Sequence, residues 1–391
     1  MLNTPFSPWP SFTQEEADAI SRVLLSNKVN YWTGSECREF EKEFATWAGC
    51  LYAVALSNGT LALDVALRAL DVGKGDEVIT TPRTFLASAS SIVTAGANPV
   101  FADVDLNSQT ITAESIEAVL TPKTKAVIVV HLAGMPAEMD AIMALSEKHG
   151  FYVIEDCAQA HGAKYRGRSV GTIGHIGAWS FCQDKIITTG GEGGMVTTND
   201  KDLWAKMWSY KDHGKSFDAI YNREHSPGFR WLHESFGTNW RMTEIQAVLG
   251  RIQLTRLPQW TVRRQANAAQ VDETVKDLHV VRRVEVPEYC EHAEYKHYLF
   301  VRPENLAEGW TRDRIVETIL ERGVPAYQGS CSEVYLEKAF DNTKWRPKHR
   351  LTNAVELGET SLMFLVHPTL TQAEIDKTCE VIRSVLLSSQ K

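Results

Sequence analysis

The sequence has no apolar run long enough to cross a bilayer; its longest, such as "AVIVV" at 126–130, fall far short. It has no C-x-x-C pair. Its seven cysteines (Cys37, Cys50, Cys157, Cys182, Cys290, Cys331 and Cys379) are odd in number and widely spaced, so neither a zinc site nor a disulfide framework is expected. A reducing, cytoplasmic setting is the expectation that follows. The start, "MLNTPFSPWPSF", lacks the positive segment and apolar core of a secretory signal. Basic residues are scattered, 41 Lys and Arg against 49 Asp and Glu, for a net charge of −8. A surface that tracks a phosphate backbone needs a basic face, so no nucleic-acid partner is expected. One local basic pocket for an anionic metabolite stays open. The first strand–helix turn lacks G-x-G-x-x-G, which argues against a nicotinamide dinucleotide. There is no low-complexity tract and no internal repeat.

What is present is alternation. Short apolar runs at 52–56, 76–81, 98–104, 125–132, 151–156, 177–182 and 193–198 read as strands. Helix-like segments at 60–71, 84–95, 112–120 and 137–149 lie between the earlier ones, the last closed by Gly150. Near-continuous apolar strands joined by helical crossovers predict an α/β fold with a mostly parallel central sheet, covered on both faces. Residues 205–240 carry little periodicity and read as a long, partly irregular loop region. Residues 243–257 and about 259–278 read as two helices, and a smaller α+β region follows from about 280. The expected division is a large domain over 1–255 and a small C-terminal domain over 256–391, with the N-terminal segment packing on the small one.

Four segments carry chemistry. "SNGT" (57–60) joins a strand to a helix, where free N–H groups and a positive dipole end suit a phosphate; alone it is equally a common turn. "VIEDCAQAHGA" (153–163) ends a buried strand in two acids, and a buried carboxylate needs a partner. A pyridinium N–H is such a partner, and because adjacent strand residues face opposite ways only one acid meets it. Asp156 is the choice, with Gln159 a turn further on. "GAWSFCQDKIITTGGEGGMVTTND" (177–200) delivers Ser180 and then Lys185, whose amine is a usable nucleophile toward a cofactor aldehyde when partly desolvated. In "FGTNWRMTEIQAVLGRIQL" (236–254), Thr243 and Gln246 form the pattern of a capping box, preceded by Asn239 and Arg241.

In this order, with "FEKEFATWAG", "GDEVITTPRTFLASA", "FADVD" and "VVHLAG", these segments resemble the DegT/DnrJ/EryC1/StrS family of sugar aminotransferases, which have the fold type I architecture. The resemblance runs from about Pro10 to about Ile382. It implies pyridoxal 5′-phosphate (PLP) as cofactor, anchored covalently on Lys185, with Asp156 on the pyridine nitrogen and Gln159 near the ring. It places Gly59, Thr60 and Ser180 at the phosphate, Phe85 stacked on the ring, and Asn239 in the neighbouring subunit's site across a homodimer. It further implies L-glutamate as amino donor and a nucleotide-linked keto sugar as acceptor. Two departures stand out. "TTGGEGG" is one glycine longer than the family's "TTGEGG". "SFCQDK" is closer to members acting at sugar C4 than to the "SFYPTK" of C3 enzymes, which points to a 4-keto-6-deoxyhexose, with C3 amination as the alternative. Arg230, His233 and Lys215 are candidates to meet a diphosphate. A non-catalytic regulatory relative is disfavoured because the lysine is kept.

Overall fold

The computed structural model describes residues 4–225, 228 and 230–391. A seven-stranded sheet forms from β1 (Tyr52–Leu56), β2 (Glu77–Thr80), β3 (Asn98–Phe101), β4 (Thr124–Val130), β5 (Tyr152–Asp156), β6 (Ile176–Ser180) and β7 (Gly194–Thr198). The spatial order is β1-β7-β6-β5-β4-β2-β3. β7 runs antiparallel to both neighbours and every other pair is parallel. The carboxyl ends of the six parallel strands therefore share one edge. That edge is where ligands bind in open α/β sheets.

Both faces of the sheet are covered, which is why its strands read as continuous apolar runs. One face packs Val54, Leu63, Ile128 and Ile142 into a single core. The other buries Phe40, Phe44, Trp179 and Phe181, with Phe44 and Trp179 edge to face at 5.2 Å.

The alternation of β5 separates its two acids. Glu155 is fully buried and accepts from Gly171 N at 2.8 Å, Ile173 N at 2.8 Å and Gly174 N at 2.6 Å. His131 Nε2 lies 2.9 Å from the same carboxylate, and Ala137 N donates to His131 Nδ1, which assigns the imidazole proton to Nε2. Burial pushes the Glu155 carboxyl up, but the hydrogen bonds from His131, Gly171 and Gly174 outweigh it and hold the group below its ordinary value. Its stabilising effect is thus full at neutral pH and fades as pH falls through that lowered value. We expect Glu155→Ala to cost about 3–5 kcal/mol in urea unfolding at neutral pH, and markedly less in acid.

A second sheet, antiparallel, takes Val281–Arg283, His297–Val301, Ser361–Phe364 and Ala326–Tyr327 in that spatial order. Helices Arg312–Glu321 and Gln372–Ser389 pack with it. The N-terminal segment lies against the last of these: Ser7 Oγ donates to Glu374 at 3.0 Å, and Phe6 joins the same apolar cluster.

Two expectations are corrected. The helices expected at 243–257 and 259–278 are one helix, Glu244–Val275, with Pro258 inside it. Proline removes only one donor from the ladder. Buried residues continue across it at 254, 257, 261, 264, 268, 271 and 275, an unbroken 3–4 spacing that polar Thr261 and Arg264 hide in the sequence. Residue 255 falls within this helix. The region 205–240 is also less irregular than expected, since helix Lys201–Lys211 enters it and Phe217–Tyr221 lies within it. Lys211, fully buried on Glu41 at 2.6 Å, masks the apolar face of the first. No helix among the described residues is long and apolar enough to cross a membrane.

Candidate active site

β1 ends at Leu56, and the helix Gly59–Ala69 starts three residues later. Its cap is Asn58, whose side chain accepts from Leu61 N at 3.0 Å, so Gly59 and Thr60 open the first turn rather than cap it. Their N–H groups have no acceptor within the helix, the arrangement that can receive an anion at a helix N-terminus. Ser180, at the end of β6, lies directly beside this turn. A Cβ on Gly59 would stand 2.5 Å from Ser180 Cβ, and one on Gly194 would stand 2.2 Å from the Asn58 carbonyl oxygen. Glycine at both places lets the backbone close around the turn. Gly59→Ala is expected to cost about 1–3 kcal/mol by thermal unfolding and to weaken retention of a phosphorylated ligand, read by equilibrium dialysis.

Asp156 closes β5 and is 6% exposed. Its oxygens accept from Ser88 Oγ at 2.8 Å and Ala158 N at 3.1 Å. Burial raises its carboxyl above the ordinary value; the Ser88 and Ala158 hydrogen bonds, and then the charge of Lys185, offset this only in part. No Lys, Arg or His among the described residues comes within ion-pair distance of it, so the site holds a buried carboxylate whose nearest cation, Lys185, acts on it only across a gap. Gln159 Oε1 accepts from Ala133 N at 2.8 Å, and His131 N donates to the Asp156 carbonyl at 3.1 Å. The turns after β4 and β5 are thereby tied together.

Lys185 follows β6 in a half-buried turn. Its Nζ lies 5.0 Å from the centre of the Tyr295 ring, and its carbonyl accepts from Trp9 Nε1 at 2.9 Å. Phe85 precedes the helix that carries Ser88 and is 72% exposed, so it is no core aromatic. The structure thus brings Gly59, Thr60, Ser180, Asp156, Gln159 and Lys185 to one edge of the sheet. Asn239 is exposed, in a segment whose next residues, Trp240 and Arg241, accept from Ser57 of the same chain. Of the diphosphate candidates, Lys215 is buried and pairs with Asp212 at 3.0 Å, while Arg230 and His233 are exposed. Residues 226, 227 and 229, in the region read at 205–240, lie outside the described residues.

Several neighbours of the site escaped the sequence reading. Ser88 stands in the quoted "FLAS" and is betrayed only by its pairing with Asp156. Trp9, Arg264, Tyr295 and Lys296 converge on the Lys185 turn from segments remote in the chain, with no local pattern to announce them.

The α/β fold, with its mostly parallel sheet and a glycine turn, a buried acid and a lysine at its carboxyl edge, is that of the fold type I aminotransferase class. The model of the DegT/DnrJ/EryC1/StrS aminotransferase family matches residues 10–383. The chain belongs to that family, and it is an aminotransferase. It is 36% identical over 355 residues to the GDP-perosamine synthase of Caulobacter vibrioides (89% of this chain, 90% of that one). It is 34% identical over 379 residues to the spore coat polysaccharide biosynthesis protein SpsC of Bacillus subtilis (96% of each). Among solved structures, an aminotransferase from Psychrobacter cryohalolentis superposes with a TM-score of 0.97 at 64% identity, covering 98% of this chain and 100% of the other.

Proposed function

We propose that the protein transfers the amino group of L-glutamate to a nucleotide-linked keto sugar, using PLP carried on Lys185. The observation that carries this reading is Asp156, a buried carboxylate with no ion-pair partner among the described residues, at the same edge as a half-buried lysine amine. A protonated pyridine nitrogen supplies the missing partner. The other donors fit the rest of the group: Gly59, Thr60 and Ser180 for the phosphate, Phe85 for the ring face, Gln159 beside the ring. All lie in the proposed large domain, 1–255. When bound, the cofactor supplies an electron sink and stores the amino group between the two half-reactions.

The chain's own residues do the rest. Asp156 keeps the ring nitrogen protonated. With the cofactor bound, the freed amine of Lys185 would serve as the proton carrier, taking a proton from the donor's α-carbon and giving one to the sugar carbon. Asn239, exposed on its own chain, is the residue we assign to the phosphate of the neighbouring subunit in a homodimer. The relationship to GDP-perosamine synthase and to a coat-polysaccharide protein supports a sugar-nucleotide acceptor. The "SFCQDK" sequence favours a 4-keto-6-deoxyhexose.

The test is spectroscopic. L-glutamate should bleach the visible band of the cofactor-loaded protein, and a 4-keto-6-deoxy sugar nucleotide should restore it. Restoration by a 3-keto sugar nucleotide alone would move the amination to C3. Failure of glutamate to bleach the band would remove it as the donor.

A further inference from the structure

Three cations gather around Tyr295. Lys185 Nζ and Lys296 Nζ lie 5.0 and 4.9 Å from its ring centre, and Arg264 Nη1 donates to its carbonyl at 3.3 Å. The acids nearby are already engaged. Asp184 accepts the Tyr295 hydroxyl, and Glu294 pairs with His297 at 3.2 Å and His292 at 3.6 Å. No carboxylate among the described residues reaches ion-pair distance of Lys296 or Arg264.

Arg264 is 1% exposed, yet its Nε and Nη2 have no hydrogen-bond partner. Its compensation is the Nη1 bond to the Tyr295 carbonyl and the Trp9 ring 4.9 Å from Cζ, and these offset only part of the loss of water from a guanidinium. Lys296 is under the same pressure. Burial lowers its amine to about 8, with Asp184 opposing and Arg264 and Lys185 adding to the fall. With Asp184 at a distance and no carboxylate among the described residues at ion-pair distance of Lys296 or Arg264, the cluster is short of negative charge. Transamination brings an anion to this place, because the donor's carboxylates come within a few bond lengths of the carbon that meets Lys185. The diphosphate of a sugar nucleotide does not suit it, since the sugar ring stands between the phosphates and a reacting C4.

We propose that Lys296 and Arg264 form the carboxylate-binding site for the amino donor. This rests on the transamination reading above. Arg264, held against Trp9, is the fixed member; Lys296, half-buried, is the adjustable one.

The experiment follows the two half-reactions separately in cofactor-loaded protein, comparing wild type with Lys296→Met and Lys296→Arg. Glutarate, a dicarboxylate without an amino group, is the binding probe, read by its effect on the melting temperature. We expect Lys296→Met to weaken the apparent affinity for L-glutamate by about 10- to 100-fold, the loss of a charge-assisted contact. Lys296→Arg should recover most of it, and the keto-sugar half-reaction should stay near wild type. Glutarate should raise the melting temperature of wild type and not of Lys296→Met. Unchanged glutamate affinity in a Lys296→Met protein that keeps its cofactor band would overturn the assignment, as would equal losses in both half-reactions. If glutarate protects wild type alone but glutamate never bleaches the band, the anion site stands and the transamination reading falls.

Discussion

Lys185→Ala is expected to lower turnover by at least about 10³-fold, because one side chain both anchors the cofactor and moves the proton. The visible band of the bound cofactor should disappear with it. Folding should be little disturbed, since Lys185 sits half-buried in a turn and its Nζ touches the face of the Tyr295 ring rather than a buried acid. Lys185→Arg is the informative companion. It restores a positive charge near Asp156 but cannot replace the amine, so it should be as inactive as the alanine variant. Activity retained by Lys185→Arg would mean that the charge, not the nucleophile, matters. Steady-state turnover and the absorption spectrum read both effects.

Asp156→Asn comes second, with an expected loss of about 10²–10³-fold in turnover, typical of removing one preorganised charge from a dry site. The geometry allows the exchange without collapse. Asn Oδ1 can keep the bond from Ala158 N, and the Ser88 hydroxyl, 2.8 Å from Thr84 Oγ1, can turn toward that oxygen. Its effect on stability should change sign with the cofactor. In cofactor-free protein, burial raises the Asp156 carboxyl, so ionising it costs the folded state more than the unfolded one. Asparagine should therefore raise the melting temperature of the cofactor-free form near neutral pH. The gain should vanish as pH falls below the ordinary carboxylate range, where both states are protonated. In the loaded form the same substitution should lower the melting temperature, because the carboxylate then faces a cation. Thermal unfolding with and without cofactor, across pH, reads all of this.

Much of the scaffold was legible because its strands are buried on both faces. β1, β2 and β5 were readable within a residue, since apolar runs there stop where turns begin. The capping box of Thr243 and Gln246 stands as read, with Gln246 Oε1 accepting from Thr243 N at 2.9 Å. What failed were segments whose buried positions are polar. Thr261 and Arg264 break the apparent pattern of the long helix, and Lys211 does the same for Lys201–Lys211, although all three are buried. A paired or hydrogen-bonded charge looks like surface in a sequence. Strand alternation told only that one of Glu155 and Asp156 could face a ligand, and the turn at 57–60 alone was equally a common turn; the family resemblance singled out both. The cluster of Trp9, Arg264, Tyr295 and Lys296 was not legible, because only the tertiary fold brings those segments to Lys185.

The central claim is the covalent role of Lys185, and borohydride reduction of the cofactor-loaded protein followed by peptide mass mapping tests it most directly. A pyridoxyl group fixed on Lys185, and on no other lysine in proportion, is the predicted result. An unmodified Lys185 in protein saturated with cofactor, or a pyridoxyl group found instead on Lys296, would contradict it.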